Sequence, residues 1–436
     1  MKHVSMKMTV AGGALLALSG GAMAQENISF WYESANPDQQ VWMQDILIDG
    51  FEAENPDYKL TIDYRGNELD KQLRVAMLSG SGPDVVYTPG PSYVAPMAQN
   101  GQLLALDEYA GKYGWNDSIL PVFLEMGRYD GKLYALPKTY ETLGLYYNKS
   151  LFDENGWSVP TTIAELETLA DQMLEKDIQP FSAGNADWRG ANEWFVSIVL
   201  NSVAGPDNVY AALKGEMPWT AEPFVEAIET LNGWWEKGYF GANYFSIESG
   251  EQTIDLLAAG KAGMSPNGTW AFQNVPTYFD KAGTEPGFVG FPSKSGDPVF
   301  ALGVGSTFSI AASSDVADGA AAVIDHIFSP GFYGTMGSVW QGEWNMPLRD
   351  LSGVEMSADV PPLYTQAMAD LAESVGEGSY GYTTWTFLPP ATNNALINGI
   401  EEVWLDRVSV PEYLATIDAQ FQTEMAEGKV PAIPNR

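Results

Sequence analysis

Between Ile28 and Tyr87 the chain alternates two hydrophobic periods, and this alternation constrains its fold more than any other feature. Ile28 to Tyr32 is an apolar run of strand length. Trp42, Met43, Ile46, Leu47 and Phe51 recur at helical spacing across Val41 to Ala53, and Asn55-Pro56 ends that stripe. Leu60, Ile62 and Tyr64 alternate with polar residues, the pattern of a half-buried strand. A second helical stretch, roughly Lys71 to Leu78, runs into Ser79-Gly80-Ser81-Gly82-Pro83, and Asp84-Val85-Val86-Tyr87 follows as a third strand. Strand, helix, strand, helix, strand implies a mainly parallel sheet covered by helices, because parallel neighbours need a crossover.

The middle of the chain repeats this style. Leu143 to Tyr147 is strand-like. Thr162 and Glu165 fit a capping box ahead of the apolar positions Ile163, Leu166, Ala170 and Met173. Glu222 to Lys237 is helical, with the stripe Phe224, Val225, Ile228, Leu231 and Trp235 and with Gly238 in the C′ place. Trp235 and Trp42 therefore read as core. At 436 residues the chain is long enough for two or three domains, or two large lobes. No internal repeat and no Gly/Ser linker marks a boundary, so the chain is expected to cross between lobes several times through hinge strands.

The first residues read as an address. Lys2, His3 and Lys7 precede an apolar run from Met8 to Leu18, and Ala22-Met23-Ala24 is a small-x-small cleavage signature. The run is short of the roughly 20 residues that span a bilayer. We expect residues 1–24 to be a cleaved signal peptide, with the mature protein beginning at Gln25 in the periplasm. With no Cys anywhere, a lipoprotein signal, disulfides and thiolate metal sites are excluded.

Charge and motifs narrow the chemistry. The chain carries 22 Lys and Arg against 56 Asp and Glu, a net charge of -34, which excludes a nucleic-acid role built on phosphate neutralisation. Of two His, one lies in the signal segment; His326 sits in an apolar helical run and reads as structural. G-x-S-x-G, the phosphate-binding G-x-x-x-x-G-K-[ST] and H-E-x-x-H are all missing from the sequence. Carboxylate-only chemistry such as glycoside hydrolysis stays open, since it needs just two acids.

The stretch Tyr129-Asp-Gly-Lys-Leu-Tyr-Ala-Leu-Pro137, with Glu141 and Leu143-Gly-Leu-Tyr-Tyr-Asn-Lys149 behind it, resembles the extracellular solute-binding proteins of carbohydrate ABC importers, a maltose-binding-protein-like family. Phe152, Gly156 and Pro160-Thr161-Thr162 continue the likeness. Ser81-Gly82-Pro83-Asp84-Val85-Val86 resembles the family's Gly-x-Pro-Asp approach to a strand. Gly260-Lys261-Ala262-Gly263-Met264 with Asn267-Gly268-Thr269-Trp270 resembles its Gly-Lys-x-x-Met and Gly-x-Trp signature, and Asn345-Met346-Pro347-Leu348-Arg349 its late Pro-x-Arg element. The resemblance implies an α/β, two-lobe periplasmic binding protein fold of type II, its lobes joined by hinge strands with a ligand cleft between them. By analogy, residues 25–138 and 303–350 form the first lobe and residues 139–302 and 351–436 the second. Hinges are expected near Pro137 to Thr142, Phe300 to Ser306 and Arg349 to Gly353.

A pyranose offers one apolar C–H face to an aromatic ring and a rim of hydroxyls to carboxylates, amides and Arg. The residues expected to hold one are Trp31 and Tyr32 at the end of the first strand, Tyr87 at the end of the third, and Glu141 at the hinge. The polar loop Asp187-Trp188-Arg189 joins them, with Trp270 of the Gly-x-Trp element, Trp340 and Trp344 beside Glu343 and Arg349, and Trp385 in an aromatic loop. The resemblance implies no catalytic residue, cofactor or metal. Its expected partners are a carbohydrate, of two or more rings on the aromatic count, and transiently the transmembrane subunits of an ABC permease. A monomer is expected. The competing expectations are an exported glycoside hydrolase and a binding lobe that reports to a receptor kinase.

Overall fold

A computed structural model of the protein describes residues 25–187 and 189–434, so the signal segment and Trp188 lie outside the described residues. Eleven strands follow in chain order: β1 (Glu26–Tyr32), β2 (Tyr58–Tyr64), β3 (Val85–Thr88), β4 (Arg128–Tyr129), β5 (Lys132–Leu133), β6 (Leu136–Asn148), β7 (Gln179–Phe181), β8 (Ala262–Gly268), β9 (Pro286–Val289), β10 (Ala301–Ile310) and β11 (Gly381–Tyr382). Nine of them form one sheet along the path β2-β1-β3-β10-β6-β8-β7, with β9 on β6 and β11 on β10; β4 and β5 pair separately.

The opening alternation folds as its pattern requires. β1 runs parallel to β2 and to β3, and helices fill the crossovers. The first crossover spans Pro37–Trp42, Met43–Ile48 and Asp49–Glu54, with a π-helical turn in its middle and Asn55 at its end. It begins in a capping box between Asn36 and Gln39. The second crossover helix is Leu69–Ser79, closed by Gly80 at φ +69°. Thr162 and Glu165 also form their box: the Glu165 amide donates to Thr162 Oγ1 at 3.1 Å and the Thr162 amide to Glu165 Oε2 at 3.1 Å.

The helix Glu222–Glu236 corrects one detail of the sequence reading. Its buried residues are Phe224, Ala227, Ile228, Leu231 and Trp234. Trp235 is half-buried and stacks on Trp404 at 4.8 Å. Over four turns the 3.6-residue period drifts, and it brings 234 rather than 235 onto the inner face. Trp42 is likewise half-buried, 6.1 Å from Trp340. His326 is structural, with Nδ1 2.9 Å from Glu54 Oε2.

Two long strands hold the halves together. β10 is antiparallel to β3 from Thr307↔Thr88 to Ile310↔Val85, which ties it to β1 and β2. It is antiparallel to β6 from Leu136↔Phe308 to Leu143↔Ala301. β6 then continues, pairing with β8 from Leu143↔Gly268 to Tyr147↔Met264 and with β9 on its other side. The hinges expected as short strands near Pro137 and Phe300 are thus segments of two long ones.

Candidate functional site

Where β1, β3 and β6 pass one another, their side chains converge on a buried ammonium. Lys138 of β6 is fully buried, donates to the Tyr32 hydroxyl at 3.0 Å and forms an ion pair with Glu343. Tyr32 itself donates to Glu343 Oε1 at 2.8 Å. The ammonium lies 4.3 Å from the Trp344 ring centroid, 5.3 Å from Tyr32 and 5.6 Å from Tyr87, so it is held by rings as well as by charge. Trp344 stacks on Tyr32 at 5.9 Å with planes 6° apart, and Trp340 meets Trp344 edge-on at 6.2 Å. The Tyr87 hydroxyl donates to Glu33 Oε1 at 2.9 Å. Burial, then the neighbouring Glu343, pushes the Tyr32 phenol and the Glu33 carboxyl upward; Lys138 opposes this at Glu33.

A second group faces this one from the other half. Glu141, 5% exposed, accepts from Trp385 Nε1 at 2.9 Å. Burial pushes its carboxyl up to about 8, Glu343 adds to the rise, and the Trp385 bond and Lys138 pull against it. Trp385 meets Trp270 edge-on at 5.9 Å, and Trp270 meets Trp194 at 5.4 Å. Glu193, one position before Trp194 on the helix Gly190–Val199, is bonded by Asn393, and burial raises it to about 7.

Direct contacts join the two groups' surroundings. Gln39 Nε2 donates to Gln273 Oε1 at 2.9 Å, and Ser92 Oγ to the Trp385 carbonyl at 2.9 Å. Gly342, at φ +86°, packs so close to the Thr269 carbonyl that a Cβ there would stand 1.9 Å from the oxygen.

The structure thus gathers Tyr32, Tyr87, Glu141, Trp270, Trp340, Trp344 and Trp385 at one junction. It separates others. Trp31 stands on the opposite face of β1 from Tyr32, because successive strand residues alternate faces. It packs beside Leu73, Met77 and Val86 with the Arg65 guanidinium 3.9 Å over its ring. The expectation that Trp31 and Tyr32 turn into the cleft together is corrected on that ground. Asp187 and Arg189 are exposed: Asp187 accepts from the Ser249 hydroxyl at 2.9 Å, and Arg189 lies 3.6 Å from Glu401. Glu33, Lys138, Glu193 and Trp194 were not singled out by sequence. The signal for Glu33 was its place straight after the Trp31-Tyr32 strand end.

Two α/β halves that share long strands and close on a junction of rings and acids define a two-lobe binding protein. The chain belongs to the bacterial extracellular solute-binding protein family, whose model matches residues 35–333. Among its relatives, a probable sugar-binding periplasmic protein of Brucella suis is 26% identical, over 96% of this chain and 99% of that one. Another of that description, from Rhizobium meliloti, is 27% identical over 67% of this chain and 70% of its own. A solved chitin oligosaccharide binding protein superposes with a TM-score of 0.78 at 19% identity, covering 92% of this chain and 99% of that one, a likeness of fold. Binding proteins, not enzymes, make up this kinship, and the hydrolase expectation finds no support in it. Among the described residues no helix is long and apolar enough to cross a membrane.

Proposed function

We propose that this protein captures a carbohydrate of two or more rings at the junction and delivers it to the transmembrane subunits of an ABC permease. The observation that carries this reading is the pairing of two aromatic groups across the junction, Tyr32 with Trp340 and Trp344 on one side and Trp270 with Trp385 on the other. Rings there stack on sugar faces, while Glu141, Glu33, Glu343 and Lys138 engage hydroxyls. The sugar-binding descriptions of the Brucella and Rhizobium relatives point the same way.

The finer reading keeps the lobes at residues 25–138 with 303–350 and 139–302 with 351–436, hinged on β6 and β10. Trp31, Asp187 and Arg189 lie at the margin of the seat, not within it. The protein acts as a periplasmic monomer, cut before Gln25 and without a lipid anchor. A thermal-shift screen over a sugar panel tests the proposal. A ligand at 100 times its dissociation constant stabilises the fold by about 2.7 kcal/mol, and a panel of mono-, di- and oligosaccharides that leaves the melting temperature unmoved would overturn it.

A further inference from the structure

The charge at the junction is unbalanced, and this has a consequence for which sugars fit; the step rests on the carbohydrate reading above. Three carboxylates, on Glu33, Glu141 and Glu343, face one ammonium, Lys138. That ammonium is already committed to Glu343, to the Tyr32 hydroxyl and to the Trp344 ring. The charges acting most strongly on Glu141 are Glu343, Lys138 and Glu33; those on Glu33 are Glu343, Lys138 and Asp70. All but one are acids. A separate observation concerns donors. The buried indole N–H groups of Trp340 and Trp344 have no hydrogen-bond partner among the described residues, and both rings are in contact with Tyr32. They ask for an oxygen acceptor, which a sugar hydroxyl supplies without bringing charge.

We propose that this seat selects its saccharide by charge, taking neutral or amino-bearing sugars and excluding uronic acids and sugar phosphates. Like charges buried together raise one another's energy, and no free cation stands among the groups named to neutralise a further anion. An amino group on the sugar does the reverse, meeting Glu33 or Glu141 as Lys138 meets Glu343. The elevated carboxyl of Glu141 shows that the junction already resists negative charge before any ligand adds more.

The test is competition binding followed by native mass spectrometry, using the mature protein. The probes are glucose-, xylose- and N-acetylglucosamine-based oligosaccharides, each offered in neutral, uronate-bearing or phosphorylated, and amino-bearing forms. We expect only neutral and amino-bearing species in the complex, with each anionic form bound at least about tenfold more weakly than its neutral parent. An anionic form that binds as tightly as its parent overturns the charge selection and leaves the carbohydrate reading standing. Binding of none of the probes overturns that reading, and the selection with it. Glu33→Gln should narrow the discrimination against the anion by about threefold or more, and Glu141→Gln does the same should the first variant fail to fold. Unchanged discrimination in a folded variant that retains the neutral parent's affinity overturns the assignment to these acids.

Discussion

The indole N–H of Trp385 donates to Oε1 of Glu141 over 2.9 Å, so two residues 244 positions apart share one buried hydrogen bond at the junction. The bond joins the strand that links the halves to a short helix, Thr384–Phe387, that packs beside β10. It also restrains an acid whose carboxyl burial has raised from 4.5 to about 8.

That acid gives stability a pH dependence with a definite sign. The folded protein holds the Glu141 proton more tightly than the unfolded chain does. Its contribution is therefore fully present below about pH 4.5 and is lost as pH rises toward about 8. The melting temperature should fall across this window. Glu141→Gln should flatten that fall by on the order of 1–3 kcal/mol, since one pKa unit is worth about 1.4 kcal/mol. Parallel melting curves against pH for the variant and the parent protein would remove Glu141 from the account.

Trp270 and Trp344 should fail differently. Trp270 is only half-buried, so Trp270→Ala should weaken sugar binding by roughly 5- to 150-fold, or about 1–3 kcal/mol, while the fold survives. Trp344 is fully buried against Tyr32, Phe308 and Phe332, and Trp344→Ala should cost about 3–5 kcal/mol of stability. Calorimetric titration beside thermal melts separates the two; a sharp melting loss for Trp270→Ala at unchanged affinity would make that ring a core residue.

Gly342→Ala should obstruct the closed arrangement. Its φ of +86° disfavours any side chain, and the new methyl would meet the Thr269 carbonyl. Affinity should drop about tenfold or more, with the melting temperature of the unliganded protein little changed. Wild-type affinity in this variant would mean that the two segments need not touch when sugar is bound.

Sugar should make the particle more compact. A ligand that touches both halves favours the closed arrangement by its differential affinity for it. The radius of gyration from small-angle scattering should therefore fall on saturation. A constant radius, with binding shown independently, would count against a hinged clamp.

The sequence was most legible where local rules act alone. The β-α-β-α-β opening, the Thr162–Glu165 box and the glycine after the helix Glu222–Glu236 are each set by neighbours within a few residues. β6 was read only from Leu143 onward, because its first half carries Lys138, Thr139, Glu141 and Thr142, which look like loop until a second half covers them. Lys138 was missed for the same reason: a lysine reads as solvated unless an acid 205 residues later is known to sit beside it. The ring residues stood out because an aromatic after a glycine or at a strand end has few structural duties. Trp31 shows the limit of that clue, since adjacent strand residues share a position in the chain but not a face.

The continuity of β6 and β10 also governs how the molecule comes apart. β10 serves β3 at one end and β11 at the other, while β6 is its neighbour for most of that length. Neither half owns a complete sheet: each borrows the ends of strands rooted in its neighbour. Melting one half strips hydrogen bonds from the other, so heat should disassemble the molecule in a single calorimetric step. A gene cut between the two long strands would yield fragments that recover a native sheet only in each other's company.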